Sequence, residues 1–440
     1  MSSITLGGLL VGLLLVLILL GMRIAIALIS VAFLGVWLLR DNFTLAMKLM
    51  SIATYNGVAN YLFATIPLFV LMGQLVSVSN VGKDTFEVAD ALLRRVLGGL
   101  GIATVAANTV FAAVTGVSIA SAAVFTKVAV PEMTHHGYRA SFATGVVAGS
   151  SILGMLIPPS LLLIIYGVLA EVSIGKMFVA GLVPGVLLAG GFVVMIMLAA
   201  RFRPDMVFDA ERLREKRLSM AELPRLTSRQ LLSKSLPILL LVVLVIGGLY
   251  SGFFTPTEAG GVGAFAALIV ALLRRSLTGR KLWQVMKDTG SVSVGILILL
   301  VAANFYGQML AVAGVPAAIS DFVSEIGLGP LGFLILHIAL VLLMGMILDS
   351  SSILLIFVPI SAPIALALGF DLIHFGILTV IAVEVGLLTP PFGIAIFTVH
   401  AALADRRVPL EAIFAGALPF VAVMLLLLVL LAAFPGLVVY

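Results

Sequence analysis

Two short polar segments interrupt long apolar stretches of this chain, and they hold residue types that can bind ions. The first is residues 115–121 (TGVSIAS), inside the apolar stretch 101–130. The second is residues 348–352 (LDSSS), inside the apolar stretch 333–364. Hydroxyl, carboxylate and free carbonyl oxygens are ligands for hard cations, and the N–H groups at helix starts attract carboxylates. Both segments therefore predict ion binding.

A pair of prolines follows each polar segment by about forty residues. Pro158-Pro159 lies in residues 154–160, and Pro390-Pro391 lies in residues 386–393. Two consecutive prolines remove two amide donors and exclude the preceding residue from the α region, so each helix must break there. Broken backbone inside a bilayer is tolerated only where protein buries it or where it lines a wet cavity. The alternative is that the prolines are packing kinks and the small residues close helix contacts.

The composition indicates an all-α integral membrane protein. Of 440 residues, 62% are hydrophobic and 10% are charged, whereas soluble domains have about 25% charged residues. Each polar segment divides its apolar stretch into limbs of about 14 residues, too short to cross roughly 30 Å of hydrocarbon. Each stretch is therefore predicted to be a re-entrant hairpin. The absence of cysteine excludes disulfides, thiolate metal sites and thiol nucleophiles, and the net charge of +5 is topological rather than a sign of nucleic-acid binding.

Full spans are predicted at ten places, and the basic residues orient them. The spans are residues 4–22, 24–39, 60–79, 140–170, 177–200, 235–250, 257–273, 290–312, 374–402 and 411–436. The first span has no basic residue before it and no cleavage site, which favours a membrane helix over a signal peptide. With the basic linker 201–234 in the cytoplasm, 22 of the 25 basic residues lie on that side and both termini are periplasmic.

The chain contains an internal duplication. Gly73-Gln74 aligns with Gly307-Gln308 at an offset of 234, and Pro158-Pro159 aligns with Pro390-Pro391 at an offset of 232. Each half holds five full spans, an odd number, so the second half enters from the opposite side. The chain thus divides into a first inverted repeat, the linker and a second inverted repeat. These are residues 1–200 (hairpin 101–130, broken helix 140–170), 201–234 and 235–440 (hairpin 333–364, broken helix 374–402).

Placing an acidic residue at the centre of the membrane costs about 2.5–3.5 kcal/mol of insertion free energy. Asp349 lies at the second hairpin tip and is predicted to bind an ion or substrate. Glu384, six residues before the second proline pair, is either functional or a buried structural carboxylate. Glu258 has a simpler interpretation as an acid in the first turn of a helix.

Other polar residues are assigned to structure. Asn108, Asn304 and Gln308 are predicted to hydrogen-bond between helices. Residues 83–96 have the spacing of a surface amphipathic helix, and residues 280–288 are predicted to form a similar brace. The five histidines do not have the spacing of a metal site.

With these motifs in hand, the chain resembles the M-type large membrane subunit (DctM-like) of tripartite ATP-independent periplasmic (TRAP) transporters. The resemblance runs over nearly the whole length and is most specific at residues 131–133 with 137–138, 157–160, 254–259 and 388–393. It implies an elevator-type transporter in the bacterial inner membrane that imports an organic acid, such as a C4-dicarboxylate or sialic acid, with Na⁺. It also implies two partners, a small Q-type membrane subunit and a periplasmic P-type binding protein.

The hypothesis places one anion site between two Na⁺ sites. The substrate residues are Thr115, Ser118, Ser121, Asp349 and Ser350. The Na⁺ residues are Thr115, Gly116, Ser118, Ser150, Ser151, Gly154, Ile157, Pro159, Asp349, Ser350, Ser351, Gly386, Thr389 and Pro391. The spans at 4–39, 60–79, 235–273 and 290–312 form a scaffold in this hypothesis, and membrane lipid surrounds it. The alternatives are a stand-alone carboxylate symporter, an intramembrane hydrolase using Asp349 with Glu384, and a channel.

Overall fold

The chain is a bundle of helices joined by short turns. The computed structural model describes residues 3–93, 95–209, 227–325, 327–403 and 408–440, and no β-strand is present in these ranges. Within them, seven helices are long and apolar enough to cross a membrane, or eight if a bent pair counts as one span. Further apolar helices are 10–17 residues long. The all-α membrane prediction is confirmed.

The first half contains twelve described helices. They are α1 Ser3–Leu19, α2 Ile24–Arg40, α3 Phe43–Ala59, α4 Thr65–Val78, α5 Val81–Leu93, α6 Gly99–Thr115, α7 Ser118–His135, α8 Ala140–Ser151, α9 Leu153–Leu156, α10 Leu161–Leu169, α11 Ile174–Phe202 and α12 Pro204–Val207. Helices α6 and α7 form hairpin 1. Helices α8 to α10 form broken helix 1, with a 43° bend at the break.

The described part of the second half repeats this order. It comprises α13 Ser228–Tyr250, α14 Pro256–Leu273, α15 Gly279–Ala313, α16 Val315–Glu325, α17 Gly329–Gly345, α18 Ser350–Ala367, α19 Leu372–Gly386, α20 Ile394–Ala402 and α21 Leu410–Ala433. Helices α17 and α18 form hairpin 2, and α19 and α20 form broken helix 2. Each proline pair contains a cis peptide bond, between Pro158 and Pro159 and between Pro390 and Pro391.

The two halves differ where α3 and α4 correspond to the single helix α15. The sequence prediction missed α3, which Asn42 caps by accepting a hydrogen bond from the amide of Leu45 at 2.9 Å. Asn60 then ends α3 and caps a short 3₁₀ turn, so the first half breaks there. The second half has no such break, and the predicted brace at 280–288 is wrong as a separate element, because those residues begin the 35-residue helix α15.

The hairpin limbs are longer than the predicted 14 residues. They contain 17 or 18 residues, which at 1.5 Å per residue is still about 26 Å. Helix α18 alone among these limbs has the length and composition of a full span. The limbs run beyond the predicted stretches at both ends, from Gly99 to His135 in hairpin 1 and from Gly329 to Ala367 in hairpin 2.

Buried side chains form two clusters. The larger contains both hairpins and both broken helices, and the smaller surrounds α1, α2, α3 and the second half of α15. Helix α14 packs against α4, and α15 against α2 and α4. Thr255 and Glu258 form a capping box at the start of α14, which confirms Glu258 as a first-turn acid. The division at residues 200 and 234 remains a prediction, and residues 210–226 of the linker lie outside the described ranges.

Candidate functional site

The tip of hairpin 1 rests on the break of broken helix 1. Gly116 ends α6 with φ +64°, and its carbonyl accepts a hydrogen bond from the amide of Leu161 at 3.3 Å. A Cβ at position 116 would lie 2.4 Å from the carbonyl oxygen of Pro159, and one at Gly154 would lie 3.2 Å from the Val117 carbonyl carbon. Glycine at both positions lets the two backbones approach this closely.

A buried chain of hydrogen bonds connects hairpin 1 to α8. The Ser121 hydroxyl donates to Asn108 Oδ1 at 2.5 Å, and Asn108 Nδ2 donates to Ser150 Oγ at 2.6 Å. Ser150 in turn donates to the Val146 carbonyl at 2.6 Å. The predicted interhelical role of Asn108 is confirmed. Ser121 and Ser150, predicted as ligands, already use their hydroxyl protons within the protein.

Ser118 is the hydroxyl at this tip that has no partner. It is the first residue of α7, is 1% exposed, and its Oγ makes no hydrogen bond among the described residues. The neighbouring hydroxyls are occupied, because Thr115 donates to the Phe111 carbonyl at 3.0 Å and Ser151 to the Ala148 carbonyl at 2.8 Å. A buried hydroxyl without a hydrogen-bond partner is a group that a bound ion or ligand can satisfy.

The start of α7 has no side-chain cap. Val117 occupies its N-cap position and provides no side-chain hydrogen bond to the helix. Helix α18 of hairpin 2 differs, because Asp349 caps it by accepting hydrogen bonds from the amide of Ser352 at 3.2 Å and from the Ser352 hydroxyl. The first amides of α7 therefore lack the side-chain acceptor that the first turn of α18 has.

The break of broken helix 1 exposes carbonyl oxygens to the interior. Pro158 cannot donate to the Gly154 carbonyl, and Pro159 cannot donate to the Met155 carbonyl. The Ser160 hydroxyl replaces the second donor, since it donates to the Met155 carbonyl and accepts from the amide of Leu163 at 3.3 Å. Residues 150–160 are all buried. Carbonyl oxygens at this depth, next to the Ser118 hydroxyl, suit a hard monovalent cation.

Hairpin 2 contacts its own broken helix through a carboxylate. The Ser350 hydroxyl donates to Glu384 Oε1 at 3.0 Å, while Glu384 Oε2 is buried with no partner among the described residues. Gly345 and Gly386 let α17 and α19 approach so closely that a Cβ on Gly386 would lie 2.6 Å from the Gly345 Cα. Glu384 therefore connects the tip of hairpin 2 to α19.

The second break is open where the first is closed. Thr389 is half-buried and donates to the Val385 carbonyl at 2.7 Å, while Pro390, Pro391 and Phe392 are exposed. Phe392 occupies the position that corresponds to Ser160, so no hydroxyl replaces the donor that Pro391 removes. The asymmetry was visible in the sequence as a difference between the two proline motifs, PPS and PPF, and the site prediction missed it.

The structure brings together part of the predicted set. Thr115, Gly116 and Ser118 lie with Gly154 and Pro159, whereas the predicted cluster of Asp349 with Gly386, Thr389 and Pro391 has one described link, through Ser350 and Glu384. Among the described residues, no hydrogen bond joins the two tips. The second limb of each hairpin instead contacts the other half, where α7 packs against α20, and α18 against α10.

Tyr166 joins the two halves through a hydrogen bond and close ring packing. Its hydroxyl donates to the Leu372 carbonyl at 2.7 Å. Its ring fills the space beside Gly376, where a Cβ would lie 2.3 Å from the ring. The half-helix after the first break is thereby joined to the half-helix before the second.

An ion-pair cluster on α5 was not predicted from the sequence. Asp84 pairs with Arg274 and lies 3.4 Å from Lys234, and Lys234 also pairs with Glu87. Burial lowers the pKa of the Arg274 guanidinium. The signal was the presence of two acids on the predicted surface helix 83–96. The cluster connects α5, which leads into hairpin 1, to α13 and α14.

Comparison with protein families gives one match over nearly the full length. The sequence profile described as "Tripartite ATP-independent periplasmic transporter, DctM component" matches residues 11–437. Three relatives illustrate the range of the match.

The first, the C4-dicarboxylate TRAP transporter large permease protein DctM of Pseudomonas aeruginosa, is 33% identical over 89% of this chain and 88% of that protein. The second, the sialic acid TRAP transporter large permease protein SiaM of Vibrio cholerae, is 31% identical over 94% of this chain and 93% of that protein. The third, the isethionate TRAP transporter permease protein DctMQ of Oleidesulfovibrio alaskensis, is 28% identical over 87% of this chain but only 58% of that protein.

Two solved structures share the fold. The YdaH transporter of Alcanivorax borkumensis superposes with a TM-score of 0.54 at 16% identity, covering 87% of each chain. MtrF of Neisseria gonorrhoeae superposes with a TM-score of 0.55 at 14% identity, covering 88% of this chain and 83% of that one. At such low identity the likeness concerns the fold alone.

Proposed function

Because the chain belongs to the DctM family of tripartite ATP-independent periplasmic transporters, we propose that it couples Na⁺ entry to the import of an organic acid by an elevator motion. The chain is a TRAP transporter large permease, a multi-pass membrane protein and not an enzyme, which removes the hydrolase alternative. The observation that carries the proposal is the tip of hairpin 1, where an uncapped helix start and the unpaired Ser118 hydroxyl meet a broken helix.

The first Na⁺ site is supported by the oxygen atoms around this tip. The Ser118 hydroxyl and the carbonyls of Gly116, Gly154 and Pro159 belong to residues in close approach, and oxygen is the donor that Na⁺ requires. Thr115, Ile157, Ser150 and Ser151 complete the proposed set. The hydroxyls of Thr115, Ser150 and Ser151 donate to carbonyls and keep oxygen lone pairs free to act as ligands, whereas Ile157 offers its backbone carbonyl.

The second Na⁺ site is proposed between the tip of hairpin 2 and the second break. Ser350 donates to Glu384, two residues before Gly386, and the segment from the half-buried Thr389 to the exposed Pro391 offers carbonyls. Asp349 and Ser351 complete the set. This site is the more open of the two in the present conformation, because its break is exposed where the first break is buried.

The substrate class is an organic oxyanion. The names of the three relatives specify C4-dicarboxylate, sialic acid and isethionate, all of which carry an acidic group. The positive end of the α7 dipole is left without a capping side chain, so it can receive one carboxylate. Thr115, Ser118, Ser121, Asp349 and Ser350 are proposed to line the rest of the site.

Ion coupling supplies enough free energy for accumulation. Each net positive charge that moves inward gains about 2.3 kcal/mol per 100 mV. Because about 1.4 kcal/mol corresponds to a factor of ten, one excess Na⁺ supports roughly 40-fold accumulation. The residues of this chain provide the oxygen ligands for Na⁺ and the helix start for the acid. One part of the chain moves and carries the bound Na⁺ and acid across the membrane. Hairpins and broken helices form that part, and α1, α2, α4, α13, α14 and α15 form the scaffold.

Two partners are proposed. The DctMQ relative is longer than this chain, which covers 58% of it, and this supports a small Q-type membrane subunit as one partner. A periplasmic P-type binding protein would deliver the acid. We propose the bacterial inner membrane as the location, with both termini in the periplasm, since this orientation puts 22 of the 25 basic residues in the cytoplasm.

Reconstitution tests the proposal. Vesicles with the chain alone, and with the small subunit and binding protein, are given an inward Na⁺ gradient or a K⁺ gradient and a panel of radiolabelled organic acids. We expect uptake only with Na⁺ and only with both partners. Uptake by the chain alone would favour the stand-alone symporter, and uptake without Na⁺ would reject the coupling.

A pair of serine variants tests the observation on which the proposal rests, the unpaired hydroxyl of Ser118. Ser118→Ala is expected to weaken Na⁺ activation, whereas Ser361→Ala is not. Ser361 is the matched control because it is also buried in a hairpin limb, but its hydroxyl donates to the Phe357 carbonyl at 2.9 Å. Equal Na⁺ activation curves for the two variants would remove Ser118 from the site.

A further inference from the structure

An apolar groove lies between α5, α6 and α13. Its volume is about 590 Å³. Helix α5 contributes Thr85, Val88, Ala89, Leu92 and Leu93, whose spacing of three and four residues forms one face of the helix. Among the described residues, no charged side chain lines the groove. Its walls therefore suit an apolar ligand.

The other two helices complete the walls without closing the groove. Helix α6 contributes residues 106, 107 and 110, and helix α13 contributes a stripe between Ser228 and Leu239. Leu92 is 67% exposed and Leu232 is 62% exposed, so the protein leaves part of the apolar wall open. Contiguous exposed apolar surface of this kind marks contact with a membrane or with another protein.

The dimensions of the groove decide between these two occupants. Ser228 and Leu239 are eleven residues apart on α13, which is about 16 Å along the helix. One leaflet with its headgroup region is roughly 20 Å thick, whereas a spanning helix needs about 30 Å of apolar surface. A helix is also about 10 Å across, so the volume of about 590 Å³ would hold less than two of its turns. An acyl chain is a single row of CH₂ groups and fits this space.

Two arginines lie at the same end of the groove. Arg229 follows Ser228 at the start of α13. Arg95 follows the end of α5, three residues before Gly98, and a Cβ built at Gly98 would lie 3.0 Å from Ile196 near the end of α11. Helix α11 leads into the basic linker and α13 leads out of it, so both arginines lie at the linker end of the groove. Both are exposed.

The acids of α5 are engaged within the chain. Asp84 pairs with Arg274, and Glu87 pairs with Lys234. Asp90 also has an interaction within the chain. A phosphate accepts two parallel N–H groups from one guanidinium, and basic side chains at a membrane surface favour anionic lipids. The linker end of the groove therefore suits a negatively charged headgroup.

We propose that the groove between α5, α6 and α13 binds one acyl chain of an anionic phospholipid, whose headgroup phosphate lies beside Arg95 and Arg229. In the proposed orientation the linker end is cytoplasmic, so the lipid belongs to the inner leaflet. Helix α6 is the first limb of hairpin 1, and α13 belongs to the proposed scaffold. The lipid site thus lies between these two parts and is separate from the ion and acid sites at the tips.

Native mass spectrometry of the chain in detergent tests the headgroup preference. The probes are phosphatidylglycerol, which is anionic, and phosphatidylcholine, which has a phosphate but no net charge. We expect one phosphatidylglycerol to bind more tightly than phosphatidylcholine. Arg95→Gln with Arg229→Gln is expected to weaken phosphatidylglycerol binding roughly 30-fold and phosphatidylcholine binding less. Arg203→Gln with Arg280→Gln is the matched control, because both arginines are exposed and lie outside the groove lining.

Ala106→Phe tests the groove itself. Ala106 is half-buried and lines the groove, so a phenyl ring there takes the space of the acyl chain. We expect this variant to lose the tight binding of phosphatidylglycerol. Ala266→Phe is the matched control, because Ala266 is a half-buried alanine of α14 outside the groove lining. If Ala106→Phe does not fold, the variant of the two exposed arginines still decides the question.

Three results would overturn the inference. The first is equal affinity of the native chain for the two lipids. The second is phosphatidylglycerol binding by Ala106→Phe that is as tight as that by Ala266→Phe. The third is an Ala106→Phe variant that keeps its lipid but no longer associates with a small membrane subunit, since the occupant would then be a partner helix. Lipid binding is measured without Na⁺ or an acid, so its outcome is independent of the proposed function.

Discussion

Replacing Gly116 with alanine is expected to separate the tip of hairpin 1 from the broken helix that supports it. Gly116 has φ +64°, and a Cβ there would lie 2.4 Å from the Pro159 carbonyl oxygen. Ordinary contact begins at 3.4 Å, so the two backbones must move apart by about 1 Å. Neither side can yield through a flexible side chain, because both contacting groups are backbone.

The expected loss follows from two terms. An L-residue in the left-handed region costs roughly 1–2 kcal/mol. Moving the tip also breaks the hydrogen bond from Leu161 to the Gly116 carbonyl, which contributes roughly 0.5–1.5 kcal/mol. Together these are roughly 1.5–3.5 kcal/mol, or roughly 10- to 300-fold in a rate or binding constant that requires the assembled tip.

Gly314→Ala isolates the backbone term. Gly314 ends α15 with φ +71°, and a Cβ there meets no atom within 4 Å. Both variants are reconstituted, and the initial rate of Na⁺-driven uptake is measured per folded protein. Gly314→Ala is expected to transport normally with a small loss of thermal stability, while Gly116→Ala loses transport. Equal uptake rates for the two variants would refute the proposed support of the tip by the break.

Three further variants test other contacts. Ser160→Ala removes the hydroxyl that bridges the first break and is expected to lower the free energy of unfolding by roughly 1–2 kcal/mol; an unchanged melting temperature in detergent would contradict this. Glu384→Leu leaves the Ser350 hydroxyl buried without an acceptor and is expected to lose roughly 1–3 kcal/mol, whereas Glu384→Gln keeps the acceptor, so the two should melt at different temperatures. Arg274→Ala is expected to destabilise by roughly 1–3 kcal/mol because Asp84 is largely buried, and the exchanged pair Asp84→Arg with Arg274→Asp should recover part of that loss.

The breaks and hairpins were predictable because their causes are local. Pro158-Pro159 and Pro390-Pro391 cannot continue a helix in any environment, and Gly116 allows a turn wherever it occurs. The Thr255–Glu258 capping box is likewise a local pattern, and it is present in the structure. These features could be predicted without knowing which residues pack against them.

The mistakes have two causes, one local and one in the contacts between distant segments. Asn60 ends α3 by its own hydrogen bonds, whereas α15 runs on through the corresponding region, so two similar segments form different elements. Residue types alone also predicted that the hydroxyl groups of hairpin 1 are equivalent as ligands. Only the contacts distinguish Ser121, which donates to Asn108, from Ser118, which has no partner in the described part of the chain.

By itself, the sequence determined that this is a duplicated membrane protein with two hairpins and two broken helices, because charge, hydropathy and proline act through the chain's own covalent structure. Only the tertiary structure decided that hairpin 1 sits on a closed break while the break of the second half is open. An inverted repeat has two nearly equivalent packings of the same segments, and which one is occupied depends on contacts between residues far apart in the chain.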